Sequence, residues 1–169
     1  AARDENMSSC FQADEWRSSA MQEMTAGVTR NGEGIENISW NILGQTYIPK
    51  QVTASSFSWH ATFPPDTFVP PHIHPDQDEF IYMLDGHFDL MLAGEDAVAD
   101  SGDLIRLPRG IPHGIFNKSG KPVTCVFWVS PTGGLWELFH KITNVPDPVE
   151  VVRLAAEHGV NFLPPPEEG

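Results

Sequence analysis

Pro70-Pro71-His72-Ile73-His74-Pro75-Asp76-Gln77-Asp78-Glu79 is the stretch on which both fold and chemistry turn. On an extended strand, residues i and i+2 point to the same face. His72 and His74 therefore aim both imidazoles at one point, a chelating geometry. Pro75 breaks the strand after them, since proline cannot donate to a ladder. Glu79 opens the next apolar run, Glu79-Phe80-Ile81-Tyr82-Met83-Leu84, and a turn between the two brings its carboxylate back beside the pair. Alone, a His-x-His pair is also what a wet strand carries, and a lone Glu79 would be a solvated strand end. The reading rests on their joint pattern.

Downstream, Gly102-Asp103-Leu104-Ile105-Arg106-Leu107-Pro108-Arg109-Gly110-Ile111-Pro112-His113 offers a third imidazole. His113, Ile115 and Asn117 share one face if this stretch is extended. The glycines and prolines around His113 suit a close approach of backbone in a barrel, where interior space is scarce. Three neutral imidazoles and a carboxylate fit one divalent transition metal ion, with Fe, Mn, Ni, Co, Cu and Zn all compatible. A set without sulfur leaves room for water or substrate at the metal. The other histidines, His60, His87, His140 and His158, have no ligand-like neighbour and read as surface or core residues.

Around this constellation, residues 38–130 are short apolar runs cut by breakers. Examples are Phe88-Asp89-Leu90-Met91-Leu92 and Val123-Thr124-Cys125-Val126-Phe127-Trp128-Val129, with breakers Asp85-Gly86, Ala93-Gly94-Glu95-Asp96 and Asn117-Lys118-Ser119-Gly120. No run there is long enough for an ordinary helix, and many short strands with turn signals predict a sandwich or barrel. The period then changes. Leu135, Leu138, Phe139 and Ile142 recur at helical spacing, so 134–142 predicts a short amphipathic helix that packs on the barrel. Asp147-Pro148-Val149-Glu150 predicts a capping box opening a second helix, which Gly159 ends. The expected organisation is an arm over 1–36, with a short helix within Asp14 to Met24, a barrel over 37–132, and helices with a Pro-rich tail over 133–169.

The chain has 169 residues, 10 Lys and Arg against 23 Asp and Glu, and a formal net charge of -13. That is one domain with a core of its own. The charge argues against nucleic acid or an anionic membrane as a partner, because both need a basic footprint. No stretch approaches the length of a membrane-spanning helix. Its two cysteines, Cys10 and Cys125, make no disulfide framework, and Cys125 reads as a small core hydrophobe. No secretory signal is visible, so the default expectation is the cytoplasm.

The joint pattern resembles the two cupin motifs. His72, His74, Glu79 and Gly86 match the first; Gly102, Pro108, Gly110, His113 and Asn117 match the second. The first motif departs only at its start, where Asp66 stands in place of the usual Gly, at a turn rather than a ligand. The resemblance implies an all-β double-stranded β-helix, a jelly-roll barrel. It makes His72, His74, Glu79 and His113 the metal ligands and Asn117 a structural strand residue. The barrel, its arm and the tail Ala155-Ala156-Glu157-His158-Gly159-Val160 look similar to small quercetinase-like cupins.

In that group the resemblance implies oxygen-dependent cleavage of an aromatic, flavonol-like or hydroxyketone substrate, with Glu79 both ligand and general base. One rival is a non-redox isomerase, cyclase, dehydratase or decarboxylase using the same ligands on a polyketide-like substrate. Another is a non-catalytic binding cupin. Such a small-molecule site needs an apolar wall, and the expected wall is Phe57, Trp59, Phe68, Met83, Ile115 and Phe127. A homodimer is expected, since cupins commonly pair through their sheets, with Phe11, Trp16 and Met21 of the arm as an apolar partner surface. Arg106 and Arg109 are either anion anchors or surface residues.

Overall fold

The computed structural model describes residues 24–165. Eleven strands are present among them: β1 (Trp40–Ile42), β2 (Gln45–Val52), β3 (Phe57–Phe63), β4 (Phe68–Ile73), β5 (Asp78–Asp85), β6 (His87–Leu92), β7 (Glu95–Asp100), β8 (Leu104–Leu107), β9 (His113–Phe116), β10 (Val123–Ser130) and β11 (Asn161–Phe162). Two helices, α1 (Leu135–Ile142) and α2 (Pro148–Glu157), lie between β10 and β11. The strands form two antiparallel sheets. One has the order β1-β2-β3-β10-β5-β8 and the other β11-β4-β9-β6-β7. This is the expected jelly roll.

Alternation of side chains builds the core between the sheets. Along β10, Val123, Cys125, Phe127 and Val129 are buried, while Trp128 lies on the other face. On that outer face it stacks on Phe80, with centroids 5.2 Å apart. Inside, the Trp59, Phe127 and Phe63 rings stack in a row, at 5.1 Å and 6.0 Å. Burial pushes the Cys125 thiol far above its ordinary range, so it serves as a hydrophobe.

Asp66 and Gly86, at the two ends of the first motif, both have positive φ. Asp66, standing where the motif has Gly, adopts φ 64°. Asp is among the few non-Gly residues that tolerate this left-handed region, at some cost. Gly86 sits at φ 107°, and a Cβ there would come 2.8 Å from Val123 Cγ2. The motif's closing Gly is thus required on two counts.

α1 packs on the barrel end as its apolar stripe predicts. Trp136 and Phe139 meet the Trp40 ring at 5.2 Å and 5.5 Å. α2 begins at Asp147, whose carboxylate accepts from Val149 N–H at 3.0 Å. The reciprocal half of the expected capping box is not formed. Glu150 instead pairs with Arg153, one turn on, because a guanidinium offers it two donors. β9 ends at Phe116, and Asn117 follows directly, its backbone still exchanging hydrogen bonds with Asp66 and Thr67. Its buried amide donates to Phe63 O at 2.9 Å and Lys121 O at 2.7 Å, tying the end of β3 to the loop before β10. The expected helix within Asp14 to Met24, and the arm residues Phe11, Trp16 and Met21, lie outside the described residues apart from Met24, which is not helical.

Candidate metal centre

The cluster bridges the two sheets. His72 on β4 pairs with His113 on β9, which places their imidazoles side by side at 4.2 Å between centroids. His74 follows β4 by one residue and keeps its alternation, with its ring stacked 5.5 Å from that of His113. The β4–β5 turn then brings in Glu79 from the opposite sheet, as the spacing predicts. Glu79 Oε2 lies 3.2 Å from His74 Nε2, and Oε1 lies 3.8 Å from His113 Nε2. All four side chains are buried, and one donor atom from each falls within 4.8 Å of the others.

Hydrogen bonds fix which nitrogen of each ring faces inward. His72 Nδ1 lies 2.8 Å from Pro70 O, and His113 Nδ1 lies 3.1 Å from Ile111 O. A carbonyl only accepts, so each Nδ1 carries the hydrogen and donates. His74 Nδ1 donates to Gln77 Oε1 at 2.8 Å. In the neutral form of each ring, Nε2 is then the lone pair that faces inward. That of His113 is buried with no hydrogen-bond partner among the described residues. Lone pairs facing a buried carboxylate repel it unless a cation or a proton lies between them. The donor set fits a divalent transition metal, with the second contacts that orient ligating imidazoles already made. Burial holds the pKa of His72 well below its ordinary value, helped by the neighbouring His113 and His74. Burial lowers that of His113 too, against the pull of Glu79. Both effects favour the neutral, ligating form.

A cavity of about 60 Å³ lies against His72, His74 and Glu79. Its apolar walls are Ile42, Val69, Leu138, Phe139, Val160 and Phe162, with Leu43 after β1 and other residues of α1 and α2. The expected wall residues lie elsewhere. Phe57, Trp59, Met83, Ile115 and Phe127 are buried in the core, and Phe68 is exposed, stacked on Phe116 at 5.8 Å. None of the six lines this cavity. Strand parity told inside from outside, but not which stretch of the interior the ligands face. The helical spacing of 135–142 was the available signal for Leu138 and Phe139, and Gln77 carried none. Arg109 is an exposed partner of Asp78 at 3.2 Å, away from this cavity. Among the described residues no helix is long and apolar enough to cross a membrane.

Comparison with known proteins agrees with this geometry. The Cupin domain family matches residues 59–130. The tetracenomycin polyketide synthase protein TcmJ of Streptomyces glaucescens is 32% identical over 102 residues, 59% of this chain and 68% of that protein. Quercetin 2,3-dioxygenase of Bacillus subtilis is 34% identical over 92 residues, 54% of this chain but only 27% of that protein. An RmlC-like cupin from Shewanella frigidimarina superposes with a TM-score of 0.56 at 16% identity, over 64% of this chain and 93% of its own. Paired sheets, both motifs and these relatives together place the chain in the cupin family, among its small members that resemble quercetinase.

Proposed function

We propose that this cupin is a metal-dependent dioxygenase acting on an aromatic, enolisable substrate of flavonol or hydroxyketone type. The observation that carries the reading is a closed set of three inward Nε2 lone pairs and one carboxylate facing an apolar cavity. His72, His74, Glu79 and His113 would hold the ion. A divalent transition metal there would supply Lewis acidity toward an enolate oxygen and, if redox-active, a route for electrons to O2. Glu79, whose carboxylate lies against the cavity, is placed to take the proton of the substrate hydroxyl. The Leu138, Phe139 and Phe162 side chains keep water from the activated carbon.

Size sets a condition on this chemistry. About 60 Å³ is well below the roughly 150 Å³ that accommodates a benzene ring. Leu43, in the β1–β2 turn, lines both this cavity and an outer groove of about 540 Å³ with Phe68, Pro70 and Val145. The ring enters from that groove and displaces Leu43.

A second reading is favoured by the likeness to a polyketide synthase protein. In it Glu79 moves a proton on a polyketide-like substrate, and isomerisation or cyclisation proceeds without oxygen. Elemental analysis followed by oxygen-uptake assays on a flavonol and hydroxyketone panel tests the first reading. Oxygen consumption with product formation is expected; turnover that continues anaerobically would replace the dioxygenase with the non-redox enzyme. A homodimer is part of the proposal. The outer face of the larger sheet carries Phe80, Tyr82, Leu104 and Trp128, and both Tyr82 and Leu104 are exposed.

A further inference from the structure

The geometry points to Gln77 as a positioning residue that sets the tautomer of His74 and ties this ligand to the lead-in of α1. The inference rests on the metal-centre reading above.

His72 and His113 each donate to a carbonyl two residues earlier in their own strand or turn. His74 does not. Its partner is a side-chain amide, in the β4–β5 turn. An amide can turn either end toward an imidazole, so the tautomer depends on what holds the other end. Here Gln77 Nε2 donates to Thr132 O at 2.7 Å and to Pro131 O at 3.0 Å. Those carbonyls can only accept, so Nε2 must face them and Oε1 must face His74. His74 Nδ1 then carries the hydrogen, and Nε2 is left bare toward Glu79.

The anchor is itself fixed. Thr132 N–H donates to Ala54 O at 3.2 Å, and Thr132 Oγ1 donates to Thr53 O. Thr132 O also accepts from Leu135 N–H at 3.2 Å, at the first residue of α1. Gly133, at φ 51°, leaves the approach open, since a Cβ there would come 3.1 Å from Gln77 Nε2. Gln77 is buried, so water cannot replace these bonds. The helix whose Leu138 and Phe139 close the cavity is therefore linked, through one amide, to a ligand facing that cavity.

The test is Co(II) titration of the metal-free full chain, read by visible d–d absorption and by competition with a chromophoric chelator. Gln77→Met keeps the length and removes all three bonds. It should weaken Co(II) binding by roughly 10–100-fold and change the absorption band. Gln77→Glu keeps an acceptor for His74 Nδ1 and should recover part of that loss. Should Gln77→Met not fold, Gln77→Asn, too short to span both partners, takes its place with the same expectation. Wild-type affinity and spectrum in the folded Met or Asn variant would overturn the inference alone. Equal losses in Met and Glu would also overturn it, leaving Gln77 as an anchor of α1. Failure of the wild-type chain to bind Co(II) would refute the metal reading, and this one with it.

Discussion

Glu79→Gln should move stability in opposite directions with and without metal. Without an ion, the Glu79 carboxylate faces the bare Nε2 of His74 at 3.2 Å and that of His113 at 3.8 Å, all of them buried. An amide in the same place can donate to His74 Nε2. That replaces an unpaired buried charge with a hydrogen bond, worth about 1–3 kcal/mol. At this chain length each kcal/mol shifts Tm by ~2–4 °C, so the metal-free variant should melt roughly 2–12 °C above the parent. With Co(II) at a hundred times the parent's Kd, the parent gains about 2.7 kcal/mol. A variant lacking the anionic ligand should lose most of that gain, so the order of melting temperatures shrinks or inverts. Scanning calorimetry at pH 8, with chelator and then with Co(II), reads both arms. A metal-free variant less stable than the parent would refute the lone-pair argument, because it would mean that a proton already bridges Glu79 and His74. An undiminished Co(II) shift would refute Glu79 as a ligand.

Other outcomes follow from the same geometry. His113→Ala removes the inward Nε2 that has no hydrogen-bond partner among the described residues, and elemental analysis should find its metal content sharply reduced; unchanged stoichiometry would refute the ligand set. The metal-free protein should lose stability as pH falls below about 6.5. The folded His72 and His113 hold their pKa values down, so the unfolded chain binds protons that the folded chain does not. The loss should approach ~1.4 kcal/mol per pH unit for each imidazole until its folded pKa is reached, and calorimetric scans of His72→Asn should show a shallower slope. Asp66→Gly relieves a left-handed backbone at φ 64° and should raise Tm by a few degrees, up to about 1 kcal/mol, with metal affinity unchanged.

What could be read from the chain alone was whatever local period dictates. His72 and His74 share a face because a strand alternates every two residues, and Glu79 returns to them because Pro75 forces a turn. The in-and-out order of Val123 to Val129 and the stripe of α1 follow the same kind of rule. Tertiary structure decided what no local period encodes. The cavity walls come from β1, α1, α2 and β11, which meet the histidines only once the barrel end is covered. The five core residues expected there have the right parity but the wrong depth, as alternation fixes direction and leaves position along the barrel open. Gln77 acquires its orienting role only from carbonyls 54 and 55 residues away, and an amide in a turn has no meaning until the fold supplies the partners that orient it.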